Sequence, residues 1–500
     1  MNVAELALKS LELGEYVNII FEDQEFSNKQ MDRAANKLGN GLKSLGVRQE
    51  DRVIIQMPNC PEVFQAFQAV WKIGAVIVPV NHLVGAEETA FIYKDSGANT
   101  VITAPEYLDK VRAAQVKVPG IKNVVIVSPD SVGGTVSFKD LLAESSDKLE
   151  MAKTSDDDLA TLIYTSGTTG TPKGVMLTHG ALVYNAQCQH ETNKLPQDWV
   201  TLAVLPLCHS FGIATMNSAC LRLRGKTIIL RSFNLEKLFT AIEKYRVNGL
   251  SAVPTMYVYM LQYPDAGKYD VSSMKAWSCG SAPLTADAWK QFKEKFGGEI
   301  GEGWGLTEAG ANNTNSVCLA VKKVGSIGKP QNGMEMKIFD DNGNELPQGM
   351  EGEIVIRGPM VMKGYWNLPE ATAEAIRNGW LHTGDIGYID QDGYFFITNR
   401  KKDIIIKGGE NISPRMIEEV LYSHPKVAEA AVVGLTDPVY GEDVKAFVTL
   451  KPGQTACVEE LMELCKSKLK RFFVPKEIVI IQGMPKNLLG KILKKELRKI

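Results

Sequence analysis

A strand-like run, ATLIY (160–164), leads straight into Thr165-Ser166-Gly167-Thr168-Thr169-Gly170-Thr171-Pro172-Lys173-Gly174. Glycines and small hydroxyls let backbone N–H groups and Oγ atoms converge on an anion with no bulky side chain in the way. That is the chemistry of a phosphate cradle. It is not a Walker A loop, which needs Gly-Lys-Ser/Thr after its four-residue spacer, because Lys173 is followed by Gly174. Other reactive types are scattered along the chain. Glu308 ends GWGLTE, Asp385 ends HTGD, His209 sits in PLCHSFG and Lys491 lies in NLLGK near the C-terminus. Taken singly, Asp385 beside Gly384 and Gly387 reads as a turn residue, and a lone histidine reads as a satisfied core residue.

The elements that must position these groups are short apolar runs alternating with helical patterns. They are DRVIIQM (51–57), AVIVPV (75–80), TVITA (100–104), NVVIVS (123–128), TLAVLPL (201–207) and KTIILR (226–231). Such alternation predicts parallel strands with crossover helices, hence an α/β fold. From about residue 324, GEIVIRG, DGYFFITN and DIIIKGG, separated by turns such as DDNGN and DQDG, predict antiparallel hairpins. We expect a large N-terminal unit over 1–398 with a β-rich subdomain at about 324–398. A hinge at 399–402 and a small α+β unit over 403–500 complete the expected organisation.

Five hundred residues exceed what one hydrophobic core serves, which excludes a small binding module. Lys and Arg number 56 against 58 Asp and Glu, so no global field recruits nucleic acid or an anionic membrane. The basic run Lys486, Lys494, Lys495, Arg498 and Lys499 is too short to change this. The eight cysteines show no Cys-x-x-Cys spacing, which argues against zinc and disulfides and fits reduced thiols in the cytoplasm. The N-terminus lacks the pattern of a signal peptide. The span 199–221 lacks Asp, Glu and Lys/Arg but holds Pro206, His209 and Asn217, so it reads as a buried strand–loop–helix and not as a membrane segment.

The motifs YTSGTTGTPKG, LPLCHSFG, SCGSAPL, GWGLTE, WLHTGD, NRKKDIIIKGGENISP and PKNLLGKILKKEL, in this order over nearly the whole chain, resemble those of the adenylate-forming enzymes. That superfamily comprises acyl- and aryl-CoA synthetases, adenylation domains of peptide synthetases and firefly luciferases. The resemblance implies ATP, magnesium and coenzyme A as cofactor and co-substrates. It places Thr165, Ser166, Gly167, Thr168, Thr169, Gly170 and Lys173 on the phosphates. Gly280, Ser281, Ala282, Gly303, Trp304, Gly305, Leu306 and Thr307 would form the nucleotide pocket, with Trp304 replacing the usual tyrosine over adenine. Glu308 would hold magnesium, and Asp385 and Arg400 the ribose. Lys491 would bridge the attacking carboxylate and the α-phosphate, with Thr165 and His209 also at the reacting centre. Lys402 would be the hinge, and Gly408-Gly409 would line the pantetheine tunnel.

His209 occupies the family position beside the acyl carboxylate, and no acid follows it before Leu221, so an amino-acid substrate with its ammonium group is disfavoured. Position relative to the motifs assigns the acyl pocket to His209, Phe211, Thr215, Met256, Gly280, Gly303 and Ala309. This apolar or small set suits a neutral fatty, alicyclic or aromatic tail. The reading is a carboxylic acid–CoA ligase acting on small molecules, possible as a homodimer, with no nucleic-acid partner. Its rivals are a ligase loading a separate carrier protein and a non-catalytic acyl or nucleotide sensor of the same fold.

Overall fold

The computed structural model describes all residues from Met1 to Ile500 except 82–83, 131, 166–170, 316–318, 320, 452 and 487–491. Among the described residues the chain forms four sheets, and the two that carry most of the chemistry are largely parallel, as the βα alternation requires. One runs in the order Ile300–Glu302, Ala276–Cys279, Gly249–Ala252, Val200–Ala203, Lys226–Ile229, Val17–Phe21 and Gln24–Ser27. The other runs Gly364–Tyr365, Lys173–Thr178, Leu159–Thr165, Val76–Pro79, Arg52–Gln56, Thr100–Thr103, Asn123–Ile126 and Val136–Ser137.

The six expected parallel strands all form, but the run 201–207 stops at Ala203, where the chain heads toward Pro206 and its missing N–H. The strands Gly249–Ala252, Ala276–Cys279 and Ile300–Glu302 were not anticipated. They are three or four residues long and rich in Gly, Ala and Ser, so they lack the apolar signal that marks a strand. The helix Pro61–Lys72 is buried around nearly its whole circumference. It belongs to a core in which residues of both parallel sheets and of the antiparallel region meet: Val53, Ile77, Ile229, Ile354 and Phe395 are all members. Each parallel sheet packs its opposite face into a second core of its own.

The hairpins expected after residue 324 are present. Ser326–Pro330, Phe395–Arg400, Trp380–Ile389, Gly352–Arg357 and Glu335–Phe339 lie side by side, antiparallel. Beyond them, Ile405–Lys407, Glu410–Ile412, Val427–Asp437, Gly441–Leu450 and Glu477–Ile480 form the fourth sheet, with the helices Pro414–Tyr422 and Val458–Lys468 alongside. Two clusters drawn only from Ile405 onward close its core. The cysteines among the described residues are all free thiols, and no described helix is long and apolar enough to cross a membrane.

Candidate active site

Side chains alternate across a strand. In the sheet centred on Val200–Ala203, the residues Leu202, Leu250, Ala252, Trp277 and Cys279 fill one core. The register then puts Thr201 beside Gly249, Gly249 beside Ala276, and Ser251 beside Ser278 on the other face. These small residues leave a cavity of about 190 Å³. One end of it lies at the carboxyl ends of the strands, where Gly280 follows Cys279 and Gly303 follows Glu302, the place where open α/β sheets bind ligands.

The expected residues His209, Phe211, Thr215, Gly280, Ser281, Gly303, Trp304, Gly305 and Thr307 all line this cavity. Ala282 and Leu306 flank the lining residues Ser281, Gly305 and Thr307 in sequence without lining it themselves. Met256 and Ala309 do not line it either. Met256 packs half-buried against the core on the opposite face of the sheet. Ala309 closes a tight turn by donating its N–H to the Leu306 carbonyl (3.1 Å) and points into the large core with no exposure. Two lining residues adopt left-handed backbone without being glycine, Ser281 (φ +71°) and Ala311 (φ +87°), a local strain of the kind that collects at functional sites.

The lining is more polar than the sequence suggested. Gln189, Thr201, Ser218, Ser251 and Arg222 all contribute. Arg222 is only 9% exposed. Its Nη1 donates to Thr201 Oγ1 (2.5 Å) and its Nη2 to Ser218 Oγ (3.5 Å). Burial holds its guanidinium down at about 10, still charged at neutral pH. The residue was not anticipated, though a signal exists: Phe211, Thr215, Ser218 and Arg222 follow at i, i+4, i+7 and i+11, one face of the helix Ser210–Ala219 and its continuation.

His209 caps that helix at its N-terminus. Its Nδ1 accepts the Phe211 N–H (3.3 Å), which leaves the proton of the neutral ring on Nε2. Burial lowers its pKa to about 4, so at neutral pH the imidazole offers an N–H donor to the cavity and no charge.

The segment 303–309 ties the remaining groups together. A Cβ on Gly305 would lie 1.1 Å from the Ala311 carbonyl oxygen, so only glycine fits that crossing. Trp304 Nε1 donates to Asp385 Oδ2 (2.9 Å), and Arg400 Nε meets Asp385 Oδ1 (2.8 Å), the two strands holding Asp385 and Arg400 in direct register. Thr307 Oγ1 and Ser210 Oγ are 3.1 Å apart. Tyr365 Oη donates to Glu308 Oε1 (3.1 Å), and Lys173 Nζ stands 5.0 Å over the Tyr365 ring. Burial, then the Glu308 charge, raises the Tyr365 phenol and keeps it a donor. Lys173 pairs with Thr165 across antiparallel strands, so the two residues flank the run expected to form the phosphate cradle.

Glu308 has a second carboxylate oxygen without a partner among the described residues. No cluster of three or more possible metal ligands forms among them. A hard cation that takes most of its oxygens from phosphate fits one such carboxylate.

Ser166, Gly167, Thr168, Thr169, Gly170 and Lys491 lie outside the described residues. Lys402 sits in the turn Lys401–Asp403, its pKa lowered by burial first and by Arg400 second. Gly408 and Gly409 form the turn after Ile405–Lys407, both with positive φ, and Gly408 N–H donates to the Tyr440 carbonyl (2.8 Å).

Comparison with known proteins agrees with this geometry. Residues 11–366 match the family model of the AMP-binding enzymes, and residues 416–491 that of the AMP-binding enzyme C-terminal domain. A long-chain-fatty-acid–CoA ligase of Bacillus subtilis (strain 168) is 35% identical over 93% of this chain and 88% of its own. A feruloyl-CoA synthase of an Amycolatopsis species is 37% identical, covering 94% and 93%. Among solved structures, ATP-bound MatB of Rhodopseudomonas palustris superposes with a TM-score of 0.92 at 30% identity, covering 100% and 98% of the two chains. The anthranilate CoA ligase AuaEII in complex with anthranoyl-AMP superposes at 0.93 and 28% identity, covering 100% and 97%. The chain belongs to the AMP-binding enzyme family, the adenylate-forming superfamily, and within it stands with the AMP-forming acid–CoA ligases.

Proposed function

We propose that the chain makes a thioester from a carboxylic acid, ATP and coenzyme A by way of an acyl-adenylate. In the first half-reaction a carboxylate oxygen forms a bond to the α-phosphorus as the bond to the diphosphate oxygen breaks. In the second, the thiol sulfur of CoA forms a bond to the acyl carbon, AMP leaves with its oxygen, and the thiol proton is released. Activation is needed because a free carboxylate is a poor electrophile and AMP is a good leaving group.

The observation that carries this reading is the segment 303–309, which borders the cavity holding His209 and also reaches Asp385 through Trp304 and the cradle hairpin through Glu308 and Tyr365. His209 Nε2–H donates to the substrate carboxylate without adding charge. The Trp304 ring faces adenine. Asp385 already accepts from Trp304 and Arg400, yet each carboxylate oxygen has a second lone pair, which suits the two ribose hydroxyls. Thr165, Lys173 and the intervening loop hold the diphosphate end. Magnesium would be held by Glu308 and would supply charge neutralisation to the phosphates. Lys491 supplies the cation between carboxylate and α-phosphate, where such a contact is worth about 10²–10³ in rate.

We assign residues 1–398 and 403–500 to separate units joined at 399–402 with Lys402 as hinge, supported by the separate cores that begin at Ile405. Gly408 and Gly409 then serve the CoA tunnel. The test is AMP release over a panel of acids, with and without CoA, and thioester measured in parallel. Acid- and CoA-dependent AMP with equal thioester is expected; no acid-dependent AMP or diphosphate exchange with any acid would overturn the reading.

A further inference from the structure

We propose that the acid activated here carries a second carboxylate at the far end of its tail, received by the guanidinium of Arg222. The inference rests on the ligase reading above and names the class of its acid.

Arg222 lines the same cavity as His209 but at the opposite end. It bonds to Thr201, whose register partner is Gly249, itself beside Ala276, the first residue of its strand. The His209 end lies near Gly280, four residues further along that strand, a separation of roughly 13 Å. The helix agrees: Phe211 to Ser218 is a rise of roughly 10 Å, and Arg222 lies one turn beyond. The site thus separates a neutral donor for the reacting carboxylate from a fixed cation for something at the other end.

The cation is not otherwise answered. A guanidinium has five N–H donors, and among the described residues this one meets two hydroxyls, Thr201 and Ser218. Among the described residues no Asp or Glu pairs with Arg222, and none lines the cavity. A buried cation facing only neutral groups is costly, and an apolar tail sealing the cavity would strip it of its remaining water. A hydroxyl would satisfy one N–H and leave the charge unopposed. A carboxylate satisfies two N–H groups side by side and the charge together.

The wild-type enzyme tests this without any substitution. Succinate, adipate, suberate and sebacate are compared with fatty acids of matching length, and with 4-hydroxycinnamate as a neutral-ended aromatic acid, by AMP release with ATP and CoA. A diacid of intermediate length should exceed its monoacid in kcat/KM by about 10²-fold or more, because a site built for a polar group rejects the analogue that lacks it. Arg222→Met should collapse that ratio through KM for the diacid, and Arg222→Lys should restore part of it. Equal or better use of the fatty acids or of 4-hydroxycinnamate by the wild type would overturn the proposal while leaving the ligase reading intact. Silence with every acid would instead sink the ligase reading. If Arg222→Met does not fold, the wild-type ratio alone decides.

Discussion

The indole Nε1 of Trp304 donates to the carboxylate of Asp385 across 81 residues of sequence, at 2.9 Å. Asp385 is 1% exposed at its side chain and takes its other strong contact from Arg400. Trp304 thus does more than cover a base: it holds one oxygen of the group that we assign to the ribose.

Replacing Trp304 by Phe keeps a smaller aromatic face and removes the donor. A buried acceptor then loses its partner, a change worth about 1–3 kcal/mol. KM for ATP should rise roughly 5- to 150-fold, while KM for the acid moves far less. Steady-state kinetics with each substrate varied in turn checks this, and an unchanged KM for ATP would refute the proposed role.

Asp385→Asn exchanges a pure acceptor for a group that is half donor. The wild type should discriminate strongly against 2′-deoxy-ATP, and the variant should lose most of that discrimination together with roughly 10²-fold in kcat/KM for ATP. The ratio of the two nucleotides separates a ribose contact from a general loss of structure.

His179 is fully buried, and its Nδ1 accepts the N–H of Val3 (3.1 Å), which only an unprotonated nitrogen can do. Burial lowers its pKa to about 4 from the usual 6.5. Between those values the unfolded chain binds the extra proton and the folded chain does not, so stability falls as pH drops from 6.5 toward 4, by up to about 1.4 kcal/mol per pH unit for this group. Urea unfolding at a series of pH values should show that fall, and His179→Asn should flatten its slope by about one proton.

Gly305→Ala places a methyl carbon 1.1 Å from a backbone oxygen. Backbone must move, at a cost of about 3 kcal/mol or more. The urea midpoint should drop clearly and ATP-dependent turnover should be lost with it; a fully stable and active variant would show that the close crossing is not needed.

The chain on its own determines the βα alternation, the ordered motifs and the local groups they carry. Glycine and threonine beyond an apolar strand predict an anion site, and the strand Leu159–Thr165 does end where that run begins. Local chemistry of this kind travels with the sequence because backbone and neighbours supply it. Other properties depend on register and long-range pairing. Gly249, Ser251, Ala276 and Ser278 become one cavity wall only when their two short strands align with each other and with Val200–Ala203. Ala309, beside a reactive motif, turns into the core because a tight turn rotates it there. Arg222 reads as an ordinary surface cation until a helix end and a strand enclose it, since burial and the absence of a counter-charge among the described residues are properties of the packed molecule. The sequence therefore determined the class of reaction, and the tertiary structure decided which side chains line the cavity beside His209.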